Sequence, residues 1–346
     1  MDVIRGKAPL RISFAGGGTD LEPYSSEQGG VTLSTTIDKY AFGTLIPRSD
    51  DSIIIESMDF GQSVKYNTKD YLPLDGSLDL IKAVVNRLAP GKGFTLMIEC
   101  DAPPGTGMGS SGTVTVLVIG MLLEYLRKHL SPYEIAEMAY EIEKNDLGIV
   151  VGRQDQYAAV FGGFNLIEYS KHMTLVTPLR LRNETINELE SNLVLCFLHQ
   201  GRTLEDPVNI EVEQYQKDKD GLIKVFLEYK NLAYRMKNKL LLGDLNSFIE
   251  LFRIAGESKI KRSLLGGSEK IQRFIECAYK HKARAMKTLG ASGGGHLLVV
   301  CDIFNRKNLI NAMENQGGTV IPLHFSQEGM VCWRTSYIQS KVLNSN

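Results

Sequence analysis

The segment Ala102-Pro103-Pro104-Gly105-Thr106-Gly107-Met108-Gly109-Ser110-Ser111-Gly112 follows an apolar run at 94–99 and precedes a long apolar stretch. This order predicts a strand, a glycine-rich loop and a helix that begins near Ser110 or Ser111. Glycines let the backbone approach an anion and turn its N–H groups toward it, and the helix adds the positive end of its dipole. The segment therefore favours a phosphate-binding loop, with an ordinary glycine turn and serine cap as the alternative.

Two other phosphate-binding loops fit the segment less well. No lysine follows the glycines, so it is not the loop of the P-loop nucleotidases. Gly107, Gly109 and Gly112 do have the G-x-G-x-x-G spacing of dinucleotide-binding folds. Such folds need an acidic residue at the end of a second strand, about 20 residues further on. Residues 128–132 lie there instead and lead into another predicted helix, which argues against a dinucleotide-dependent oxidoreductase.

Composition narrows the class of protein. The chain has 346 residues, enough for two domains, and its 39 Lys and Arg nearly balance its 40 Asp and Glu. A net charge of -1 argues against a bulk electrostatic grip on nucleic acid or on an anionic membrane, while leaving room for a local basic pocket. The five cysteines form no CxxC pair, which indicates a reducing compartment and no structural zinc site.

No membrane-spanning or targeting segment is expected. The longest apolar run, Val114 to Leu126, is interrupted by Thr115, Gly120 and Glu124 and falls short of the roughly 20 residues that a spanning helix needs. The N-terminus lacks the apolar core of a signal peptide. The expected location is therefore cytoplasmic, and the oligomeric state is open, with a homodimer as one candidate.

Strands and helices are predicted along the whole chain. Ser131, Pro132 and Glu134 form a helix-start signature, followed by a buried stripe at helical spacing. The other predicted helices lie at 154–161, 205–242, 245–257, 269–288 and 307–315. Strands are predicted at 11–15, 41–46, 52–58, 94–99, 164–169, 193–199, 296–301 and 319–323. The best domain boundary lies between 170 and 190, which divides the chain into 1–180 and 181–346.

Three ordered motifs resemble those of one family, the GHMP kinases. The glycine loop resembles the family's P-x-x-x-G-L-G-S-S-A motif, with Met108 in place of Leu and Gly112 in place of Ala. The segment 8–21, APLRISFAGGGTDL, resembles the sugar-kinase signature A-P-G-R-V-N-L-I-G-E-H-T-D. The segment 287–296, KTLGASGGGH, is similar to the third motif, K-x-x-G-A-x-x-x-G-G. The order and separation of the three motifs match the family and span most of the chain.

This resemblance implies a fold and an activity. The fold would be α+β and two-lobed, with mixed and antiparallel sheets, a ferredoxin-like C-terminal domain, and ATP and substrate between the lobes. The activity would be phosphorylation of a sugar hydroxyl with ATP and Mg²⁺. Gly17 and Gly18 replace the Glu-His pair of galactokinases, and the F-A-G-G-G-T-D form resembles the branch of heptose 7-phosphate kinases and fucokinases. The chain length resembles that of the heptose enzymes, so heptose 7-phosphate is the preferred substrate and a fucokinase-like 1-kinase is the alternative.

The resemblance also assigns chemical roles. Asp155 matches a catalytic aspartate that orients or accepts the proton of the attacking hydroxyl, although an aspartate at a helix start is common without function. Arg11 would lie near the transferring phosphoryl group. Backbone groups of the glycine loop would hold the ATP phosphates. The ATP-binding candidates are Pro104, Gly105, Thr106, Gly107, Met108, Gly109, Ser110, Ser111 and Gly112.

Glu143 is the candidate magnesium ligand, together with Ser110 or Ser111. It lies twelve residues before Asp155, as in the family. Helical geometry gives separate support, because Glu143 falls about 40° from the buried Ala139 and a carboxylate there needs a partner. An amphipathic rim glutamate is the alternative.

Substrate contacts are expected from the first motif and from cations of the second half. The candidates are Gly16, Gly17, Gly18, Thr19, Asp20, Asp155 and Arg202. Lys259, Lys261 and Arg262 are further candidates for a substrate phosphate, although lysines and arginines are usually solvated surface charges. A non-catalytic protein that binds ATP and sugar on the same fold is the alternative from another class.

Overall fold

Two β-sheets and the helices packed on them make up the structure, a computed structural model that describes residues 2–103, 105–199, 207–264, 269–290 and 295–336. The strands are β1 (Asp2–Ala15), β2 (Gly30–Pro47), β3 (Ser52–Ser57), β4 (Gln62–Asn67), β5 (Phe94–Cys100), β6 (Phe164–Tyr169), β7 (Thr174–Pro178), β8 (Leu193–Phe197), β9 (Ala285–Thr288), β10 (His296–Val300), β11 (Thr319–Ile321), β12 (Phe325–Ser326) and β13 (Val331–Ser336). The helices are α1 (Tyr24–Gln28), α2 (Asp79–Leu88), α3 (Ser110–Leu126), α4 (Pro132–Glu141), α5 (Gln154–Phe161), α6 (Asn183–Asn192), α7 (Pro207–Lys217), α8 (Lys219–Leu242), α9 (Leu245–Leu264), α10 (Glu269–Lys280) and α11 (Ile303–Asn315), with a π-helix at Ile142–Asp146.

The larger sheet runs in the order β13-β1-β2-β5-β3-β4, and β2 also pairs with β6 and β12. Its ladders are antiparallel except for the parallel pair of β3 and β5. The smaller sheet has the order β11-β8-β10-β9 and is antiparallel. The predicted α+β class with mixed and antiparallel sheets is confirmed. The division into 1–180 and 181–346 stays a prediction.

The ladder between β1 and β2 is irregular where the first motif begins. Its register shifts between Pro9 and Arg11, and again between Ser13 and Ala15. Pro9 has no N–H to contribute to a ladder, so an irregularity beside it is expected. Such bulges re-aim side chains and occur often next to active sites.

One hydrophobic core joins β1 to the helices of the second half. Phe14 packs edge-on against Phe248 of α9, with ring centroids 5.4 Å apart, and Leu10 and Ile12 belong to the same cluster. Helix α3 is buried through most of its length, as its nearly uniform apolar sequence requires. These contacts hold α3, β1 and α9 in fixed relation, and the candidate site lies among them.

Several predicted elements are confirmed, and one is wrong. Helix α4 has the predicted capping box, in which Ser131 and Glu134 exchange hydrogen bonds with each other's backbone N–H. The bounds of α5 and β6 match the prediction. The helix predicted at 269–288 ends at Lys280, and Ala285–Thr288 forms β9, paired with β10. Residues 283–288 are mostly good helix formers, and pairing with β10 overrides that local preference.

Among the residues that the structure describes, no helix combines the length and the apolar character needed to cross a membrane.

Candidate active site

The glycine loop lies between β5 and α3, with α3 beginning at Ser110 as predicted. Gly109 has φ 78° and lies just before the helix, in a conformation that glycine adopts without cost. Gly107 has φ 90°, and a β-carbon there would collide with the carbonyl oxygen of Leu289. The third motif therefore packs directly on the loop. Pro104 lies outside the described residues.

The third motif also braces the loop by a hydrogen bond. Nδ1 of His296 lies 2.8 Å from the carbonyl oxygen of Thr106. A β-carbon on Gly295 would lie 2.6 Å from Cα of Thr106, so glycine is required for this approach. Thr106 in turn donates its hydroxyl to the carbonyl oxygen of Pro103 at 2.7 Å. The third motif thus braces the loop from outside and one hydrogen bond braces it from within, which suits a preorganised anion site.

Arg11 and Asp155 form an ion pair at the centre of the site. Nε of Arg11 donates to Oδ1 of Asp155 at 2.8 Å, and Nη2 lies 2.5 Å from the same oxygen. Nη1 donates to the carbonyl oxygen of Gly107 at 2.5 Å. The arginine side chain is nearly buried, whereas 30% of the Asp155 side chain is exposed. The guanidinium therefore fixes the carboxylate beside the glycine loop and leaves it accessible.

Glu143 is buried beside the start of α3 and lies in the π-helix. Its side chain accepts hydrogen bonds from Ser111 at 2.9 Å, Gln156 at 3.0 Å and Thr115 at 3.2 Å. Burial, with a smaller contribution from the negative charge of Asp155, raises the pKa of Glu143 to about 7. All three donors are neutral, and no ion pair among the described residues involves Glu143. A cation would offset the cost of ionising this carboxylate.

A magnesium ion fits this donor set. Mg²⁺ is commonly bound by one or two carboxylates together with substrate phosphates. Within the described ranges, no three His, Cys, Asp or Glu side chains cluster so as to hold a metal by themselves. A single buried carboxylate beside a phosphate loop suits a metal that also binds the nucleotide. The hydroxyl of Ser111 lies beside this carboxylate, whereas that of Ser110 is 3.5 Å from the carbonyl oxygen of Pro103.

The glycine turn of the first motif and Asp20 line the same cleft as Asp155. Asp20 accepts the backbone N–H of Gly18 at 3.2 Å and that of Gln154 at 3.1 Å. Burial, with a smaller contribution from the charge of Asp155, raises the pKa of Asp20 above its ordinary value. Thr19 is fully buried, and its hydroxyl donates to the carbonyl oxygens of Gly16 and Val31. Asp20 thus links the glycine turn to the first residue of α5.

One cleft of about 310 Å³ brings nine of the predicted catalytic, nucleotide, sugar and metal residues together. Its lining includes Arg11, Gly16, Gly17, Gly18, Asp20, Gly105, Ser111, Glu143 and Asp155. Other predicted residues do not line it, namely Thr19, Thr106, Gly107, Met108, Gly109, Ser110 and Gly112. Arg202 lies outside the described residues, as does the side chain of Arg262. Lys261 is exposed and is not part of the lining.

Sequence reasoning missed Lys287, which lines the cleft together with Lys259. Lys287 is buried, and its Nζ donates to the carbonyl oxygen of Ser13 at 2.6 Å. Burial, then the positive charges of Lys259 and Arg11, lower the pKa of Lys287 well below its ordinary value. Its place as the first residue of the third motif could have suggested a role in the site. The helix wrongly predicted over 269–288 gave no indication that its side chain points into the cleft.

Comparisons with known proteins agree with the geometry. Residues 79–163 match the model of the GHMP kinases N terminal domain. The chain is 37% identical over 343 residues to the D-glycero-alpha-D-manno-heptose 7-phosphate kinase of Campylobacter jejuni, covering 96% of this chain and all of the relative. It superposes with a TM-score of 0.79 on the crystal structure of a D-glycero-D-manno-heptose 1-phosphate kinase from Bacteroides thetaiotaomicron, at 33% identity, 97% coverage of this chain and 100% of that one.

A more distant structure shares the fold alone. The galactokinase of Lactococcus lactis, solved with galactose, superposes with a TM-score of 0.74 at 18% identity. The superposition covers 95% of each chain. The fold is therefore kept across a wide range of sequences.

Proposed function

The chain belongs to the GHMP kinases, and from that premise we propose that it phosphorylates the anomeric oxygen of D-glycero-D-manno-heptose 7-phosphate with ATP. The product would be the 1,7-bisphosphate. Support comes from the Campylobacter jejuni relative, whose whole length is covered at 37% identity. The Bacteroides thetaiotaomicron relative is described as a heptose 1-phosphate kinase, so the two names place the existing phosphate at different positions. A kinase of either kind would give the same bisphosphate.

One observation carries the proposal: Arg11 of the first motif is bonded both to the carboxylate of Asp155 and to the glycine loop. Phosphoryl transfer depends mainly on positioning and on charge stabilisation. A carboxylate and a guanidinium in one cleft with a glycine loop supply both. The two groups come from elements 144 residues apart in the chain, so the fold itself creates this contact.

The transfer step follows from these positions. The sugar hydroxyl donates a hydrogen bond to the carboxylate of Asp155, which orients the oxygen toward the γ-phosphorus. As the new O–P bond forms, the bond from the γ-phosphorus to the bridging oxygen breaks and ADP leaves. The hydroxyl proton passes to Asp155 and then to solvent. The guanidinium of Arg11 offsets the charge that develops on the γ-phosphoryl oxygens.

Magnesium would be held by Glu143 and Ser111. With the ion bound there, part of the negative charge of the nucleotide phosphates would be neutralised. Ser111 suits this role better than Ser110, because Ser111 lines the cleft and already donates its hydroxyl to Glu143. Gln156 and Thr115 hold the other side of the carboxylate and fix its orientation.

A substrate panel tests the function. The purified protein is given ATP, Mg²⁺ and, in separate reactions, heptose 7-phosphate, heptose 1-phosphate, the neutral heptose, fucose, galactose and mevalonate, and ADP release is measured. We expect the highest kcat/KM with heptose 7-phosphate and a product whose anomeric carbon bears phosphate by ³¹P NMR. Preference for fucose would favour a fucokinase-like enzyme, and binding of ATP and sugar without ADP release would favour a sensor.

A further inference from the structure

Two buried lysines form one part of the cleft wall. Lys259 comes from α9 and Lys287 from β9, and each is 6% exposed. Both line the cleft that contains Asp155. Neither lies in the glycine loop or in the sequence of the first motif. Both come from the second half of the chain, and none of the roles proposed above accounts for them.

Close packing of α9 on β9 brings the two lysines together. A β-carbon on Gly256 would collide with the carbonyl oxygen of Met286, the residue before Lys287. The glycine therefore lets the helix lie directly on the strand. Lys259 follows Gly256 by three residues, about one helical turn. The positive charge of Lys259 is close enough to contribute to the lowered pKa of Lys287.

The contact of Lys287 with Ser13 places this lysine further along β1 than Arg11, toward the Gly16–Gly18 turn where the sugar is expected. Its Nζ donates to the carbonyl oxygen of Ser13 at 2.6 Å and lies 3.4 Å from the Ser13 hydroxyl. Ser13 follows Arg11 by two residues, which is roughly 7 Å along a strand. Continuing in the same direction, β1 ends at Ala15 and the Gly16–Gly18 turn begins. The Lys287 ammonium thus lies between Arg11, at the proposed transfer site, and the Gly16–Gly18 turn.

The local charge favours an anion. Transfer of an ammonium group into a protein interior is costly unless it is paired. The acceptors of Lys287 are neutral oxygens of Ser13, and no ion pair among the described residues includes this lysine. Arg11, a second cation near Lys287 besides Lys259, is already paired with Asp155. A phosphate dianion at this position would accept charge-assisted hydrogen bonds and offset the burial.

We propose that Lys259 and Lys287 bind the phosphate group that the sugar substrate already carries, and so make the enzyme select phosphorylated over neutral sugars. This proposal rests on the proposed function, because it requires a sugar substrate that brings a phosphate group of its own into the cleft besides the phosphates of ATP. The glycine loop and the start of α3 would supply a separate site for the nucleotide phosphates, and Arg11 donates to the carbonyl oxygen of Gly107 in that loop. A sugar phosphate would span from Asp155 to the lysine pair.

Kinetics of matched lysine variants test the selection. Lys259→Met and Lys287→Met keep most of the length of the side chain and remove its charge. Lys261→Met is the control, since Lys261 lies exposed on α9, the helix of Lys259. Each is assayed with heptose 7-phosphate and with the neutral heptose. We expect kcat/KM for the phosphorylated sugar to fall about tenfold to hundredfold in the two cleft variants, as loss of one charge-assisted hydrogen bond predicts. The values for the neutral sugar and the KM for ATP should stay as in wild type.

Other outcomes overturn the proposal. Equal losses on both sugars would make the lysines structural, and a raised KM for ATP would assign them to the nucleotide. Unchanged preference for the phosphorylated sugar in both variants would remove them from substrate selection. Circular dichroism and thermal melts confirm that each variant is folded before these comparisons are made.

A binding measurement separates this inference from the proposed function. Inorganic phosphate is titrated against the wild type and the three variants without nucleotide, and the melting temperature is recorded. Phosphate should stabilise the wild type and Lys261→Met, and should stabilise the cleft variants less. If no heptose phosphate is turned over but this pattern holds, the proposed substrate is wrong and the anion site stands. If heptose 7-phosphate is turned over but all four proteins respond alike to phosphate, the anion site is wrong.

Discussion

Gly109 is in direct contact with Asp155: a β-carbon on Gly109 would lie 2.9 Å from Cγ of the aspartate. The glycine loop and the candidate catalytic carboxylate therefore meet at a position where only a hydrogen fits. Gly112 repeats the relationship one turn into α3, where a β-carbon would lie 2.9 Å from Cβ of Asp155. Gly109 and Gly112 thus provide room for the close approach of α5.

Gly109→Ala should lower kcat by displacing the Asp155 side chain. The substitution also places alanine at φ 78°, at a cost of about 1 kcal/mol in stability. Gly317→Ala is the matched control, because Gly317 has φ 86° with no atom near its missing β-carbon. Both variants should lose free energy of unfolding in urea, Gly109→Ala at least as much as Gly317→Ala, and only Gly109→Ala should lose turnover. Equal kcat values in the two variants would contradict the contact.

Asp155→Asn should lose about 10² to 10⁴ of kcat, the usual contribution of a positioned acid or base. Asparagine keeps the shape that fits against Gly109 and can still accept from Arg11, but it cannot take the hydroxyl proton. ATP affinity, measured by calorimetry, should change little. Turnover close to wild type would show that Asp155 is not the catalytic group.

Arg11→Ala should lower kcat by more than it raises the KM for either substrate, because its charge acts on the transferring group. Arg11→Lys should recover only part of the rate. The guanidinium contacts both Asp155 and the carbonyl oxygen of Gly107, and one ammonium cannot reproduce this planar arrangement. Steady-state kinetics of the two variants check this. A change confined to KM would make Arg11 a binding residue.

Glu143→Gln should change how stability depends on pH in metal-free protein. Because the pKa of Glu143 is raised from 4.5 to about 7, the folded state binds its proton more tightly than the unfolded state. The stability that this provides is full below pH 4.5 and is lost as the pH rises through 7. The variant has no such loss, so its melting temperature relative to wild type should rise between pH 5 and pH 8.

Magnesium gives the complementary measurement for the same residue. At pH 8, MgCl₂ with ADP should raise the melting temperature of the wild type more than that of Glu143→Gln. Glu141→Gln is the control, since the Glu141 side chain is 47% exposed and faces Arg87. If Glu143→Gln and wild type respond equally to pH and to magnesium, the metal assignment fails.

Local signals explain which parts of the site were predictable. The glycine loop, the start of α3 at Ser110 and the capping box at Ser131 are encoded by residues that are close in sequence. Helical spacing placed Glu143 at the edge of an apolar stripe, with an amphipathic rim position as the alternative, and the residue is 1% exposed. It did not predict the π-helix, in which the N–H of Leu147 bonds to the carbonyl oxygen of Ile142. A one-residue widening of a helix leaves no pattern in the apolar spacing, although it is frequent at functional sites.

Long-range pairing explains what could not be predicted. Lys287 reaches Ser13 across 274 residues, and its orientation depends on the pairing of β9 with β10. The local sequence favours a helix there, so the prediction placed Lys287 on the wrong element. Lys259 and Lys261 look alike in sequence, yet the first is buried in the cleft and the second is exposed. Only the packing of α9 against β9 distinguishes them.

Strand β13 has a consequence for synthesis of the chain. It pairs with β1 from Asp2↔Ser336 to Lys7↔Val331, so the strand that carries Arg11 gains its second neighbour from residues made more than 300 positions later. Until then, the nascent polypeptide exposes an unpaired strand edge, which invites association with other chains. Truncation before Val331 should therefore increase aggregation of the newly synthesised protein and lower its yield in the supernatant, even though every residue that lines the cleft is present.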